Sequence, residues 1–375
     1  MSETTFETLQ TLLDERILVL DGAMGTMVQR FKLEEPDFRG ERFRNHTSDL
    51  KGLNDLLVLT KPEVISSIHD DYLAAGADII ETNTFNAQSV SLSTYGMADL
   101  AYEMNVAAAR LAKDAAEKFT EQNPQKPRFV AGALGPMDKA LSYAFDENDS
   151  SRRMVSWDEV VAAYTDQIRG LVDGGCDILI PETSFDTLNM KACLYALSQY
   201  FEDSGNTLPV MISATVFEQG GGSTLYGQSI EAFWAAVSHF PMLSVGFNCA
   251  VGPEKMRPWL ERLAGIAPKY VSCYPNAGLP NELGEFDMEP DTMGSHLRSF
   301  AEQGWVNFVG GCCGSTPPHI AAIARSVAGI KPRRVPEPSH ASVYSGLEPQ
   351  EIREDSTFFM IGERTNVTGS RKFAR

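Results

Sequence analysis

Cys312 and Cys313 are adjacent, and glycines bracket them in the run Gly310-Gly311-Cys312-Cys313-Gly314. Neighbouring side chains on an extended strand point to opposite faces. Two adjacent sulfurs therefore meet at one point only where the backbone bends, and glycine reaches the dihedrals that a bend requires. The largely apolar run Trp305 to Val309 leads into this segment. It reads as a strand end shaped to aim two sulfurs at one object. A third cysteine, Cys249, closes another largely apolar run that starts at Leu243. Three thiolates are soft ligands that suit Zn²⁺ and leave one tetrahedral position open. Such a site is net anionic, a weak Lewis acid toward water but able to take one more thiolate. Coordination deprotonates that incoming thiol at neutral pH and leaves it nucleophilic. The chemistry indicated is alkyl transfer to a substrate sulfur rather than hydrolysis. No CxxC pair and no HExxH accompanies these residues. Spacing alone thus also admits a redox-active vicinal pair or simple packing.

The other cysteines read as packing residues. Cys176 precedes a strand at the opposite rim, Cys193 is mid-helix, and Cys273 lies a few residues short of its strand's end, where a wall position is expected ahead of the alternative, a fourth metal ligand. His69, His239, His296 and His319 fall in or beside helical stretches and read as surface or satisfied structural groups. Asp21 and Glu182 each end an apolar run. Together they suit a cationic group such as an α-ammonium. Backbone N–H groups of the loop from Gly22 to Thr26 would receive a carboxylate, as concave runs of successive amides do. Asp21 reads equally well as a turn residue before Gly22.

Positioning these groups falls to a repeating pattern: a short apolar run, a cluster of small and polar residues, then a helical stretch. The runs are 17–22, 78–85, 129–135, 177–183, 210–216, 243–249, 270–275 and 306–312. Helical stretches follow at 62–75, 100–119, 157–173, 188–201, 230–238, 254–263, 292–302 and 318–327. Alternating strands and helices imply a parallel sheet. Eight units suit an α/β fold of the (β/α)8 TIM-barrel type, whose sites lie at the C-terminal strand ends. The competing open doubly wound sheet often carries GxGxxG after its first strand. Here that place holds Asp21-Gly22-Ala23-Met24-Gly25-Thr26. The barrel predicts that the polar strand ends gather on one rim: Asp21, Glu81 to Thr84, Glu182-Thr183, Asn248-Cys249, Asn276 and Cys312-Cys313.

The chain has 375 residues, 43% hydrophobic, and a formal charge of −18. That balance argues against nucleic acid and anionic membranes as partners. No apolar run is long enough to span a bilayer, and the polar N-terminus is no secretory signal. The expected location is cytoplasmic. Residues 1–330 form the expected barrel domain. Residues 331–357 read as a Pro-containing linker, with four prolines between Lys331 and Pro349. Residues 358–375 look like the truncated start of a further module.

Four motifs carry a resemblance: Leu20 to Thr26, Glu81-Thr82-Asn83-Thr84-Phe85, Gly246-Phe247-Asn248-Cys249 and Gly310 to Gly314. In this order they resemble the homocysteine S-methyltransferase family over nearly all of residues 10–330. The tail from Gly362-Glu363-Arg364-Thr365-Asn366 to Ser370 looks like the opening of a pterin (methyltetrahydrofolate) module. Within the family the likeness is therefore to the N-terminal homocysteine-binding modules of cobalamin-dependent methionine synthases. It implies Cys249, Cys312 and Cys313 as zinc ligands. Asp21, Gly22 and Glu182 fall where the family holds homocysteine, and Asn248 is a substrate or supporting contact. The implied reaction is attack of a homocysteine thiolate on methylcobalamin, giving methionine and cob(I)alamin. Methyltetrahydrofolate would remethylate the cobalamin in the adjacent module. The chain itself shows no DxHxxG cobalamin motif. Methylcobalamin would then come from another module, docking on a rim shaped by the loops 23–61 and 137–156. Other members of the family use betaine or S-methylmethionine. Pro181 stands where an aliphatic strand residue is expected, and it cannot donate a ladder hydrogen bond.

Overall fold

The computed structural model describes residues 2–146, 148–218, 221–280, 286–339, 341–358 and 369. Eight parallel strands form the barrel: β1 Leu18–Val19, β2 Ile79–Glu81, β3 Phe129–Leu134, β4 Ile178–Pro181, β5 Met211–Ala214, β6 Ser244–Asn248, β7 Tyr270–Tyr274 and β8 Phe308–Val309. The helices that follow them are α1 Pro62–Ala75, α2 Ala101–Gln122, α3 Trp157–Asp173, α4 Thr187–Ser204, α5 Ile230–Val237, α6 Pro253–Ile266, α7 Pro290–Glu302 and α8 Pro317–Val327. Ladders join β2–β3–β4 and β5–β6–β7–β8–β1. Single bridges complete the circle, Leu20 with Ile79 and Leu179 with Val210. The barrel expected from the eightfold alternation is the fold observed.

The β4–β5 seam, like β1–β2, lacks a continuous ladder, and Pro181 contributes to the gap. Pairing there reduces to Leu179 with Val210 and Ser184 with Ala214. On its other side β4 keeps regular register with β3, Pro181 included. Glu182 N–H resumes that ladder at Leu134 O, 3.1 Å away. The proline thus sits in a strand whose missing donor faces a gap between bridges.

Side chains alternate in and out along each strand. Leu18, Leu20, Ile79, Phe129, Ala131, Ala133, Ile178, Ile180, Met211 and Phe308 form the inner cluster. Their neighbours Val19, Ile80, Val130, Leu179, Ile212 and Val309 belong to the larger cluster under the helices. The N-terminal helix Ser2–Glu15 adds Leu9 and Leu13 to the inner cluster, closing the barrel floor. Two steps further along the inward positions lie Glu81, Glu182, Asn248, Tyr274 and Cys312. The period that fills the core with aliphatic side chains therefore aims polar ones into the mouth.

Two long loops shape that mouth. The β1–α1 loop folds into short helices, including Met24–Arg30 and Glu35–Arg39. It is pinned by Arg39, which donates to His46 O and Ser48 O, and by Glu35, which accepts from Leu50 and Lys51 N–H. The β3–α3 loop carries an antiparallel hairpin, Ala144–Asp146 with Asp149–Arg153. Beyond α8, Arg333 donates to Ala264 O, Ala267 O and Lys269 O. A second hairpin, Ser342–Ser345 with Pro349–Ile352, rests on α5. Ser229 N–H donates to Leu347 O at 2.8 Å, and Ser345 Oγ to Ala232 O at 2.7 Å. Residues 359–368 and 370–375, where the pterin-module resemblance falls, lie outside the described residues.

Candidate active site and metal centre

A cavity of about 250 Å³ opens at the C-terminal ends of the strands, lined by Asp21, Gly22, Glu81, Glu182, Thr183, Cys249, Tyr274, Cys312 and Cys313 among others. The sulfurs of Cys249, Cys312 and Cys313 all lie within 4.8 Å of one another. Cys249 Sγ and Cys313 Sγ are 3.8 Å apart. Ligands about 2.3 Å from a tetrahedral zinc lie about 3.8 Å from each other. The three sulfurs therefore fit a zinc ion with little movement. No other cluster among the described residues meets the same test.

Backbone bonds hold the three cysteines from several strands. Cys312 N–H donates to Pro275 O at 2.8 Å, and Cys313 O accepts from Ala277 N–H at 2.9 Å. Cys249 and Ala250 both take left-handed backbone angles, φ 62° and 59°. Each costs on the order of 1–2 kcal/mol outside glycine, so the turn that presents Cys249 is held against its own preference. Of the glycines expected to bend the Cys-Cys segment, Gly314 has a left-handed φ of 81°. Gly311 serves by its size: a Cβ there would lie 2.4 Å from Ser315 Oγ.

The thiols do not share charge evenly. Cys312 and Cys313 both hydrogen-bond to Cys249, whose sulfur is pulled down to about 3, with help from Ala250 N–H and Asn276. Its two donors are pushed up by giving those bonds. A cation is needed to ionise all three together.

Three carboxyl groups stand beside the sulfurs. Burial raises Asp21, and the nearby charge of Glu81 adds to the effect, although Asp21 Oδ2 accepts Glu81 N–H at 3.0 Å. Burial likewise pushes Glu81 up to about 7, and Glu182 well up, the latter also repelled by Glu81. Glu81 and Glu182 hydrogen-bond to each other. Asp21 and Glu182 thus line one cavity. Glu81 is the addition: in the sequence it is one of several polar rim residues, and in the structure it completes the acidic group. Its inward position was available from the two-residue step after Ile79.

The loop from Gly22 to Thr26 lines the same cavity. Ala23 N–H is already bound to Ser315 Oγ at 3.2 Å, while Met24 to Thr26 open a helix. First-turn N–H groups of a helix have no acceptor within it. Tyr72 of α1 ties this loop to the sulfur-bearing one, its hydroxyl lying 3.1 Å from both Ala23 O and Ser315 O. Gly314 N–H donates to Thr26 Oγ1 at 3.0 Å. No sequence pattern marks these stitches, which join residues 49 to 288 positions apart.

The remaining cysteines are remote from the mouth. Cys176, Cys193 and Cys273 are buried, and Cys273 Sγ lies 3.4 Å from Met256 Sδ. His319 bonds Thr316 and Met288 O. His69 departs from the expectation, being fully buried with neither ring nitrogen hydrogen-bonded.

A (β/α)8 barrel with three convergent sulfurs and buried carboxyls at the C-terminal ends of its strands places groups able to bind a metal ion and a polar substrate in one cavity. Residues 18–327 match the homocysteine S-methyltransferase family, and the chain belongs to it. In fold it is similar to the oxidised form of the homocysteine methyltransferase MmuM from Escherichia coli, with TM-score 0.64 and 24% identity over 84% of this chain and 98% of that one. The metallated form of MmuM gives TM-score 0.61 and 22% identity, over 86% and 99% of the two chains. Family membership makes the chain a methyltransferase with homocysteine as methyl acceptor. Among the described residues no helix is long and apolar enough to cross a membrane.

Proposed function

We propose that this chain is the homocysteine module of a cobalamin-dependent methionine synthase, transferring a methyl group to homocysteine sulfur to give methionine. The observation that carries the acceptor half is the placement of three sulfurs beside three buried carboxyls. Six acidic groups cannot ionise together in a buried pocket without cations. The two cations that answer this demand are a metal on the sulfurs and the substrate's α-ammonium on the carboxyls. Cys249, Cys312 and Cys313 would hold the zinc. Zinc, when bound, supplies a Lewis acid that keeps a homocysteine thiol ionised at neutral pH. Asp21 and Glu182, joined by Glu81, take the ammonium group, and the amides of the loop starting at Gly22 take the carboxylate. Tyr274 and the aliphatic layer below exclude water from the sulfur's side.

The donor half rests on the tail. The run Gly362-Glu363-Arg364-Thr365-Asn366 resembles the start of a pterin module, and a donor-supplying module following the barrel is what a methylcobalamin enzyme requires. In this reading residues 1–330 are the barrel domain, 331–357 connect it, and 358–375 begin the methyltetrahydrofolate module.

Two lines of measurement test the reading, one of the metal site and one of turnover. Elemental analysis of wild type is expected to give about one zinc per chain, and of Cys312→Ala a lost or weakened site. X-ray absorption should show one added sulfur ligand when homocysteine is present. In the second, methionine formation is followed with free methylcobalamin, betaine or S-methylmethionine as donor. Turnover with methylcobalamin alone supports the module. Turnover with betaine or S-methylmethionine and none with methylcobalamin would replace it with a stand-alone methyltransferase. A metal-free protein that loses two thiols under mild oxidation would favour a redox pair instead.

A further inference from the structure

Asn248 ends β6 beside Cys249 and is wholly buried. Its amide is almost fully committed to the protein. Oδ1 accepts from Thr183 N–H at 3.0 Å and from Ser213 Oγ at 2.7 Å. Nδ2 donates to Thr183 Oγ1 at 2.7 Å, with longer contacts to Glu182 Oε2 at 3.5 Å and Cys312 Sγ at 3.8 Å. Its main-chain oxygen accepts from Thr215 Oγ1 at 3.0 Å. An amide offers two donors and two acceptor lone pairs. Both lone pairs are taken by protein, and the donors point at Thr183, Glu182 and Cys312.

Thr183 is the residue most affected. It sits immediately after Glu182 in a left-handed conformation, φ 53°, which is unfavourable for a β-branched residue. Both of its polar groups, N–H and Oγ1, are bound by Asn248 across the barrel mouth. Just after it, Ser184 N–H donates to Ser213 O at 3.1 Å and Ser184 O accepts from Thr215 N–H at 2.9 Å, so the turn lies between this bridge to β5 and the Asn248 clamp.

We infer that Asn248 is a positioning residue: by clamping Thr183 in its left-handed turn it fixes where Glu182 points, and so sets affinity for the amino-acid substrate without contacting it. The inference rests on the proposed homocysteine site. It assigns Asn248 the supporting role and removes it from the substrate contacts. The sulfurs have backbone anchors of their own, so loss of the amide should leave the metal in place.

The test uses Asn248→Ala, Thr183→Gly and the double variant, each assayed for zinc content and for homocysteine binding by calorimetry. Asn248→Ala is expected to keep about one zinc per chain and to bind homocysteine about tenfold more weakly, as loss of the clamp on a strained turn implies. Thr183→Gly alone should stay within about threefold of wild type, because glycine adopts that turn unaided. In the double variant the glycine should recover most of the lost affinity. A group that merely supports folding would lower the melting temperature without this rescue. Homocysteine binding by Asn248→Ala within threefold of wild type, or no recovery in the double variant, overturns the inference. Wild-type protein that holds zinc but fails to bind homocysteine overturns the proposed function, and this inference with it.

Discussion

Glu81 shows what one residue adds to a site. The strand-end carboxylates Asp21 and Glu182 stood out in the sequence because each closes an apolar run at a glycine or threonine step. Glu81 is masked by the polar string that follows it, Thr82-Asn83-Thr84, which reads as ordinary loop. Only strand register separates them: Glu81 pairs with Ala131, level with Ile178, and therefore faces inward. Thr82, by contrast, accepts Ala133 N–H and bonds Thr84. Replacing Glu81 with Gln keeps the shape and removes one acid from the pocket. Homocysteine affinity is expected to fall about tenfold, with zinc content unchanged, since a charge-assisted bond to ammonium is worth on the order of 1.5–3 kcal/mol. Titration calorimetry of the variant checks this; equal affinity would remove Glu81 from the ammonium site. The cysteine triad was legible earlier because its glycines and sulfurs have few other reasons to be adjacent. The left-handed turns at Thr183 and Cys249 were not, since neither residue type announces a positive φ.

At the scale of elements, the alternation of apolar runs and helices disclosed all eight strands and helices to within a few residues. What it missed were the tertiary stitches, because a hydroxyl such as that of Tyr72 has no periodicity. Helix α1 also carries His69, whose burial without a partner depresses its pKa from 6.5 to about 4. The unfolded chain takes a proton on this residue below about 6.5, while the folded chain keeps it neutral down to about 4. The unfolded state thus binds more protons across that window, and stability falls as pH drops through it, by about 3 kcal/mol in all. Buried carboxyls such as Asp55, raised to about 6, act with the opposite sign. The difference between wild type and His69→Leu isolates the histidine. Urea unfolding at several pH values should show the variant gaining on wild type from pH 6.5 to 4. Parallel curves would mean that His69 is protonated in the folded protein.

For the whole molecule, the barrel's one open end is the consequence of how the other end is sealed. Leu9 and Leu13 of the N-terminal helix lie against the inner aliphatic layer and are essentially inaccessible to solvent. Leu9→Ala should cost about 2–4 kcal/mol, as buried leucine truncations do, and lower the melting temperature without changing zinc content. A loss of zinc in folded Leu9→Ala protein would show that floor and rim are mechanically coupled. Nothing in the residues of this helix marks it as a plug, since an amphipathic helix before the first strand packs as readily on the barrel's flank. Sealing the floor leaves the pocket a cul-de-sac with one mouth. In the proposed reaction acceptor and donor would share that mouth, so homocysteine would go in first and methionine would wait for the spent donor to withdraw, a queue at a single door.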